Sequence, residues 1–416
     1  MSHVRTGNRH LMRRINRNLV LNVVKSQGPI SRTQIARLSG LSLATVSGIT
    51  AELVETGLVY EGGEGESSGG RRPVLLCLNR QAGFVVGVKL MEHAVTSALT
   101  DLDAQVLHHR ITPLARPEGE WKPEDVLPTV IRAVEATIAE AGVDRERVLG
   151  VGVGMAGLVD GEAGVCRYSP FFGWQDAEIA VPIADELDLP VYLENDVNTL
   201  TIAEQWFGYG HGVDHFVVVT IGRGIGAGLV VNGQFYRGAV GGAGEFGHIT
   251  LLEGGPPCDC GKQGCLEALA SDQAMVRQAR AAIALGEQTM LVEVETLTME
   301  SIVVAAESGD GLARRLLADS GRWLGIGISM LVNVLNPQLV IVGGEGVCAG
   351  EWRFGPMRTA IHDHSFNGLA NDVQIVIEPS GDRTWARGAA SLVLQEIYKS
   401  PIHAGVSDLS LSAPLT

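Results

Sequence analysis

The sequence predicts an α/β protein in two parts: a small N-terminal winged helix-turn-helix and a large body built from two similar lobes. Three observations carry this expectation. Residues 1–80 hold eleven Arg or Lys against five Asp or Glu, whereas residues 81–416 hold 21 against 42, so a basic head is joined to an acidic body. Within the head, helix, helix, glycine turn, serine-capped helix and basic-tipped hairpin follow in order. In the body, two strand meanders are each followed by helices and buried strands, in a chain where 53 of 416 residues are glycine, a content suited to many tight strand-to-helix turns. The predicted boundaries are 1–80 for the head, 81–400 for the body and 401–416 for a flexible tail, which is polar and rich in small residues.

Composition excludes several classes. With 45% hydrophobic and 19% charged residues the chain is not disordered. No uninterrupted apolar stretch reaches the ~18 residues of a membrane span; Leu331 to Val342 is broken by Asn333, Asn336 and Pro337. The apolar patch Leu19 to Val24 is too short for a signal peptide. Six cysteines, three of them between 258 and 265, do not form a secreted disulfide framework. A cytoplasmic protein is expected.

In the head, Arg9 to Ser26 reads as a first helix with Leu11, Ile15, Leu19 and Val23 on one face. Gly28-Pro29 ends it. Ser31 caps a short helix, Arg32 to Leu38, whose Ile35, Ala36 and Leu38 face a core. Gly40 supplies the turn, and Ser42 caps a third helix to about Thr56 with Val46, Ile49, Leu53 and Val54 inward. Ser42, Ala44, Thr45, Ser47 and Gly48 then point outward, small residues of the kind a recognition helix presents to base edges. Strands Leu58 to Tyr60 and Val74 to Leu78 flank a loop ending in Arg71-Arg72, a wing whose guanidinium groups reach phosphates or a minor groove. Double-stranded DNA is the expected partner, with Arg32, Thr33, Ser42, Ala44, Thr45, Ser47, Arg71 and Arg72 as contacts. The competing reading is a three-helix protein–protein module.

In the body, strands are expected at Phe84–Leu90, Ala94–Thr100 and Val106–Ile111, a loop at 113–123, and an amphipathic helix at Val126–Ala141. Buried strands follow at Val148–Val153 and Val191–Leu193, the second ending at Glu194-Asn195-Asp196. The second meander covers Phe216–Ile221, Ala227–Val231 and Gln234–Arg237. A long helix, Ala313–Leu335, leads into the strand Leu339–Val342, and a last helix runs from Arg387 to Tyr398. Repetition of one pattern predicts an internal duplication with a ligand cleft between the lobes.

Cys258, Cys260 and Cys265 place three thiols in eight residues, and His248 lies ten residues upstream. Three sulfurs and an imidazole complete a closed tetrahedral set, the arrangement of structural zinc; a disulfide is the alternative. Cys77, Cys166 and Cys348 read as core residues. Around the cluster stand Glu245, three before His248, and Glu267, two after Cys265. With Asn195-Asp196 they form a ring of acceptors and donors suited to vicinal hydroxyls, as on a sugar. Taken singly, Asn195-Asp196 is equally an Asx turn and Glu245 a solvated loop charge.

Gly222-Arg223-Gly224-Ile225-Gly226, Gly241 to His248, Cys258 to Glu267 and Trp385 to Ala390 together resemble the signature of the ROK family of repressors and sugar kinases, and the likeness extends over nearly the whole chain. The resemblance implies an actin-like (ribonuclease H-like), duplicated ATPase-type fold with structural zinc and a sugar site in the cleft. It places sugar contacts on Asn195, Asp196, Glu245, His248 and Glu267, and zinc on His248, Cys258, Cys260 and Cys265. The family's kinases open the body with an Asp-x-Gly-Gly-Thr turn whose backbone cradles ATP phosphates. Here that place reads Lys89-Leu90-Met91-Glu92-His93, which lacks the glycines and adds Glu92. Tyr168 to Trp174 resembles the loop where many members carry Pro-Asn-Leu; Phe171 there implies a different hydroxyl pattern or an aromatic stacking face. The expected protein is therefore not an enzyme but a sugar-responsive transcriptional regulator, a repressor of carbohydrate-metabolism genes acting as a homodimer or homotetramer. Sugar in the cleft is expected to change lobe closure and DNA affinity. The alternatives are an ATP-dependent sugar kinase with Asp196 as general base, and a DNA-binding scaffold that ignores small molecules.

Overall fold

A computed structural model describes residues 9–65, 72–115, 119–378 and 381–399. In the head, the helices Arg9–Gln27, Arg32–Ser39 and Leu43–Glu55 start where the serines place them. Ser31 makes a reciprocal capping box with Gln34, and Ser42 accepts the Thr45 N–H at 3.1 Å. Gly40 ends the second helix in the left-handed region, φ 69°. Strand Val74–Leu78 lies between Ile30–Ser31 and Val59–Glu64, antiparallel to both, which makes a winged helix-turn-helix with a short third strand that the sequence reading omits.

Val20, Leu21, Val24, Ile35, Val46, Ile49, Leu53, Leu58 and Leu76 are buried. This corrects the face assigned to the first helix: Leu19 is exposed, and the buried ridge is 20, 21 and 24. Strict steps of four advance 400° per step at 3.6 residues per turn, so such a row drifts ~40° each time and leaves the core after two or three turns. Leu38 is likewise exposed, and Thr50 rather than Val54 completes the inward face of the third helix.

The chain divides into two compact units, taken over their described residues: Met1–Met155 with Asp160–Glu194 and Ala389–Thr416, and Ala156–Val159 with Asn195–Gly388. Each contains one five-stranded sheet of the same topology. In the first unit, Phe84–Leu90 pairs antiparallel with Ala94–Thr100, which pairs with Val106–Pro113; on its other side it pairs parallel with Val148–Met155, beyond which lies Val191–Asn195. In the second, Phe216–Ile221 takes the first-strand place, with Ile225–Val231 and Gln234–Phe235 on one side and the parallel strands Leu339–Gly343 and Gln374–Ile377 on the other. The expected duplication is thus present as a repeated strand order, the actin-like arrangement.

Strands covered on both faces explain the unbroken apolar runs: every residue of Phe84–Leu90, Phe216–Ile221 and Leu339–Gly343 is buried. In the first unit the helix Pro123–Ala141 lays Val126, Val130, Val134 and Ile138 inward. It begins three residues before its predicted start because proline is well suited to the first helical turn. In the second, Asp310 caps the helix Gly311–Leu335, whose Leu324, Ile328 and Val332 join the core with Val217, Val219, Val340 and Val342. Cys166 is buried as expected, but Cys77 is half-buried and Cys348 is exposed on the short turn Glu345–Ala349. Among the described residues, no helix is long and apolar enough to cross a membrane. Arg71 and the tail 401–416 lie outside the described residues.

Candidate functional site

His248, Cys258, Cys260 and Cys265 converge in the second unit, with their four ligand atoms all within 4.8 Å of one another. Sequence-distant pairs are brought together by a loop that doubles back: Cys258 N–H donates to the Lys262 carbonyl and Gly264 N–H to that of Pro256. Gly264 is indispensable to that path, since its φ is +68° and a Cβ there would sit 1.6 Å from the Leu252 oxygen. Cys258 Sγ lies 3.6 Å from His248 Nδ1, and Cys260 Sγ lies 3.7 Å from Cys265 Sγ, too far for a disulfide. Lys262 Nζ donates to the His248 carbonyl at 2.6 Å, fixing the backbone under the imidazole. The set can hold one metal ion.

The imidazole has two sides. Nδ1 faces the sulfurs, while Nε2 lies 3.8 Å from Glu245 Oε2. Glu267 stands 4.0 Å from Nδ1 through Oε1 and accepts the Ile225 N–H at 2.9 Å through Oε2. Partial burial raises the Glu245 carboxyl above the usual carboxylate range; His248 opposes the shift, and Glu267 and Asp196 add to it. Asp196 therefore belongs to the same electrostatic neighbourhood. It begins the helix Asp196–Phe207, is only 9% exposed, and its Oδ1 accepts the Val197 N–H. Asn195 has a local role as well: its Oδ1 caps that helix through Val197 and Asn198, and its amide donates to Gly157 O at 3.0 Å. The Asx-type cap is thus real, and it orients the amide beside Asp196.

Two glycine-rich turns flank this set. The Gly222–Gly226 turn is closed by its own chain: Gly222 N–H donates to Gly224 O, and Asp272 N–H donates to Gly222 O. A Cβ on Gly222 would come within 2.4 Å of Glu345 Oε2, whose other oxygen accepts Trp385 Nε1–H at 2.7 Å. A carboxylate therefore stands against the turn. Glu345 directly follows the glycine pair Gly343-Gly344 and was not singled out in the sequence analysis. In the first unit, Lys89 is 8% exposed within its strand, and Met91 N–H closes the following turn on Ala94 O.

The Tyr168–Trp174 loop is anchored by aromatic packing in the first unit. Phe172 stacks on Trp174 at 4.4 Å and meets Trp121 edge-on, and Trp174 Nε1–H donates to the Trp121 carbonyl.

In the head, Thr33, Ser42, Ala44, Thr45 and Ser47 are exposed. Arg32 is held in place by Thr50 Oγ1 and Glu61 Oε1, both at 3.0 Å. Arg72 is exposed, 4.0 Å from Glu64. Leu43, also exposed, was not among the expected contacts.

Residues 19–63 match the IclR helix-turn-helix domain. The chain is 32% identical over 401 residues to the xylose repressor of Caldicellulosiruptor bescii, covering 96% of this chain and 100% of that protein. Its fold is similar to a crystal structure of a ROK family transcriptional regulator, a homolog of the Escherichia coli MLC protein, with TM-score 0.83 at 30% identity over 94% of this chain and 98% of that one. A ROK family glucokinase from Streptomyces griseus, solved with glucose and AMPPNP, is similar at TM-score 0.64 and 29% identity, covering 99% of the kinase but 74% of this chain. Since residues 85–396 match the ROK family and the repeated sheets and glycine-rich turns lie inside that span, the chain belongs to the ROK family.

Proposed function

We propose that this protein is a sugar-responsive transcriptional repressor. The observation that carries the reading is the union, on one chain, of a winged helix-turn-helix with a body whose Gly222–Gly226 turn is closed by its own backbone with Glu345 against it, and whose Lys89–His93 turn has no glycine. Asn195, Asp196, Glu245, His248 and Glu267 are the proposed sugar contacts. Together they offer carboxylates to accept from adjacent hydroxyls, an amide able to do both, and an imidazole whose Nε2 is turned away from the sulfurs. Arg32, Thr33, Ser42, Ala44, Thr45, Ser47, Arg71 and Arg72 are the proposed DNA contacts. The working assembly is a homo-oligomer, a dimer or a tetramer, because two heads related by a two-fold axis match a two-fold operator.

Zinc is the proposed metal. Tetrahedral zinc with Zn–S ≈ 2.3 Å and Zn–N ≈ 2.0 Å requires S···S edges of about 3.8 Å and S···N edges of about 3.5 Å, close to the 3.7 and 3.6 Å found. With all four positions filled by protein the ion is structural. Its contribution is to fix the His248 tautomer and to seat Glu267 through the neighbouring Cys265.

Kinase chemistry is disfavoured by the same geometry. ATP phosphates need free backbone N–H groups and nearby positive charge. Lys89 to His93 is an ordinary hairpin, and Glu345 adds negative charge at the other turn. Release of the operator by sugar instead requires that the sugar bind the DNA-competent and DNA-incompetent states unequally, since equal affinity shifts neither.

Thermal stabilisation of the zinc-loaded protein against free pentoses, hexoses, N-acetylated amino sugars and ATP with magnesium tests the reading. We expect one free sugar to raise the Tm and ATP to leave it unchanged; that sugar then releases the protein from its operator. Stabilisation by ATP followed by phosphate transfer to sugar would overturn the repressor reading in favour of a kinase.

A further inference from the structure

The recognition helix begins with a side chain that neither capping nor packing accounts for. Ser42 is the cap, and Val46, Ile49, Thr50 and Leu53 turn inward. Leu43, the first helical residue, is 53% exposed. Ser42, Ala44, Thr45, Ser47 and Gly48 around it are exposed too, and all are small. Leu43 is thus the one large apolar side chain on the reading end of the helix. More than half of it stands in water, so its place there is explained by what the helix meets.

A basic head presenting this helix meets duplex DNA, and the major groove offers an apolar feature at one base only, the C5 methyl of thymine. The hydroxyls beside Leu43 are poor discriminators. Ser42 Oγ and Thr45 Oγ1 lie 2.8 Å apart, hydrogen-bonded to each other, and Ser42 Oγ also accepts the Thr45 N–H. Much of their capacity is spent inside the helix, and what is left suits several base edges. A leucine on a methyl group suits one.

We propose that Leu43 is a specificity-determining residue that reads thymine in the operator by packing on its C5 methyl. This rests on the DNA-binding reading and goes beyond it by naming the base and the atom. Leu38, at the end of the preceding helix, is 52% exposed, so a protein partner covering both leucines is the rival occupant that the test must expose.

Binding sites are to be selected from a random duplex pool with the full-length wild-type chain and with Leu43→Ala and Leu43→Ser. The wild type is expected to enrich a site with a fixed thymine in each half-site. Both variants are expected to keep the rest of the site and lose that one preference, with Tm unchanged because the position is exposed. In the wild-type site, replacing that thymine by deoxyuridine removes only the methyl. It is expected to weaken wild-type binding roughly fourfold, the value of one buried methyl group, and to leave Leu43→Ala binding unchanged. Equal weakening of both proteins, or of neither, would overturn the proposal, as would retention of every thymine by Leu43→Ala. The last result would leave the leucines to a protein partner. If the wild type enriches no sequence at all, the DNA-binding reading itself fails, a result separable from the others.

Discussion

At the scale of single residues, the metal loop offers a controlled comparison. Gly261 and Gly264 both have positive φ, +88° and +68°, but their surroundings differ. A Cβ on Gly261 meets nothing within 4 Å, whereas one on Gly264 would overlap the Leu252 carbonyl. Gly261→Ala therefore carries only the backbone strain, about 1 kcal/mol. Gly264→Ala carries strain plus a backbone clash and must move the loop, which costs upwards of ~3 kcal/mol. Metal content and Tm measured on both variants are expected to show near-normal metal in the first and loss of metal and stability in the second. Equal behaviour would mean that the loop is not held by Leu252. The clustering of the three thiols was legible because their spacing alone brings them together. The role of Leu252 was not, because a carbonyl approaching from six residues before Cys258 leaves no mark in the side-chain pattern.

At the scale of elements, the first head helix is joined to the last helix, Asp382–Tyr398. Asn18 and Asn22 amides donate to the Lys399 and Tyr398 carbonyls at 2.6 and 2.8 Å, so the head caps that helix's C-terminus. Lys25 Nζ lies 4.9 Å from the centre of the Tyr398 ring, and the Tyr398 hydroxyl donates to Leu102 O at 2.7 Å. Burial pushes the Lys25 ammonium down from the usual 10.5 to about 8, against the pull of Asp103. The folded state thus binds the proton less tightly than the unfolded state. Between about pH 8 and 10.5 the unfolded chain holds more protons, so stability rises with pH through that window. The Tm of the wild type minus that of Lys25→Met is expected to climb from pH 8 to 10.5. A flat or falling difference would mean that Tyr398 and Asp103 together outweigh the burial.

This joint also marks where sequence reading stops. Helices and strands with strong periodicity came out within a few residues of their true ends, as for Phe84–Leu90 and Gly311–Leu335. The facing of Leu19 and Leu38 did not, because which ridge of a helix is covered depends on what packs there. For the first helix that includes a segment 376 to 381 residues away in the chain. The strand Gln374–Ile377 was missed for a related reason: it is short, flanked by polar residues and defined only by pairing with Leu339–Gly343.

For the whole molecule, the two activities occupy different parts of the chain. The proposed sugar contacts all fall in the second unit, and the head falls in the first, so a sugar response requires a coupling free energy between them. Such couplings are typically about 1–3 kcal/mol, or about 5- to 150-fold in affinity. Asp196 separates the two activities: it is nearly buried, acts electrostatically on Glu245, and belongs to a different unit from the head. Asp196→Asn keeps the shape and leaves an acceptor for the Val197 N–H while removing the charge that a sugar hydroxyl would meet. Operator affinity without sugar is expected to stay within about twofold of wild type. Sugar affinity is expected to fall at least tenfold, as expected for a charged hydrogen bond lost from a ligand site, and sugar-driven release of the operator is lost with it at concentrations that release the wild type. Both are read by titrating labelled operator with and without the sugar found by thermal stabilisation. Normal release by Asp196→Asn would place the sugar elsewhere, whereas lost operator binding in the absence of sugar would mean that Asp196 sets the head's state directly rather than through the ligand.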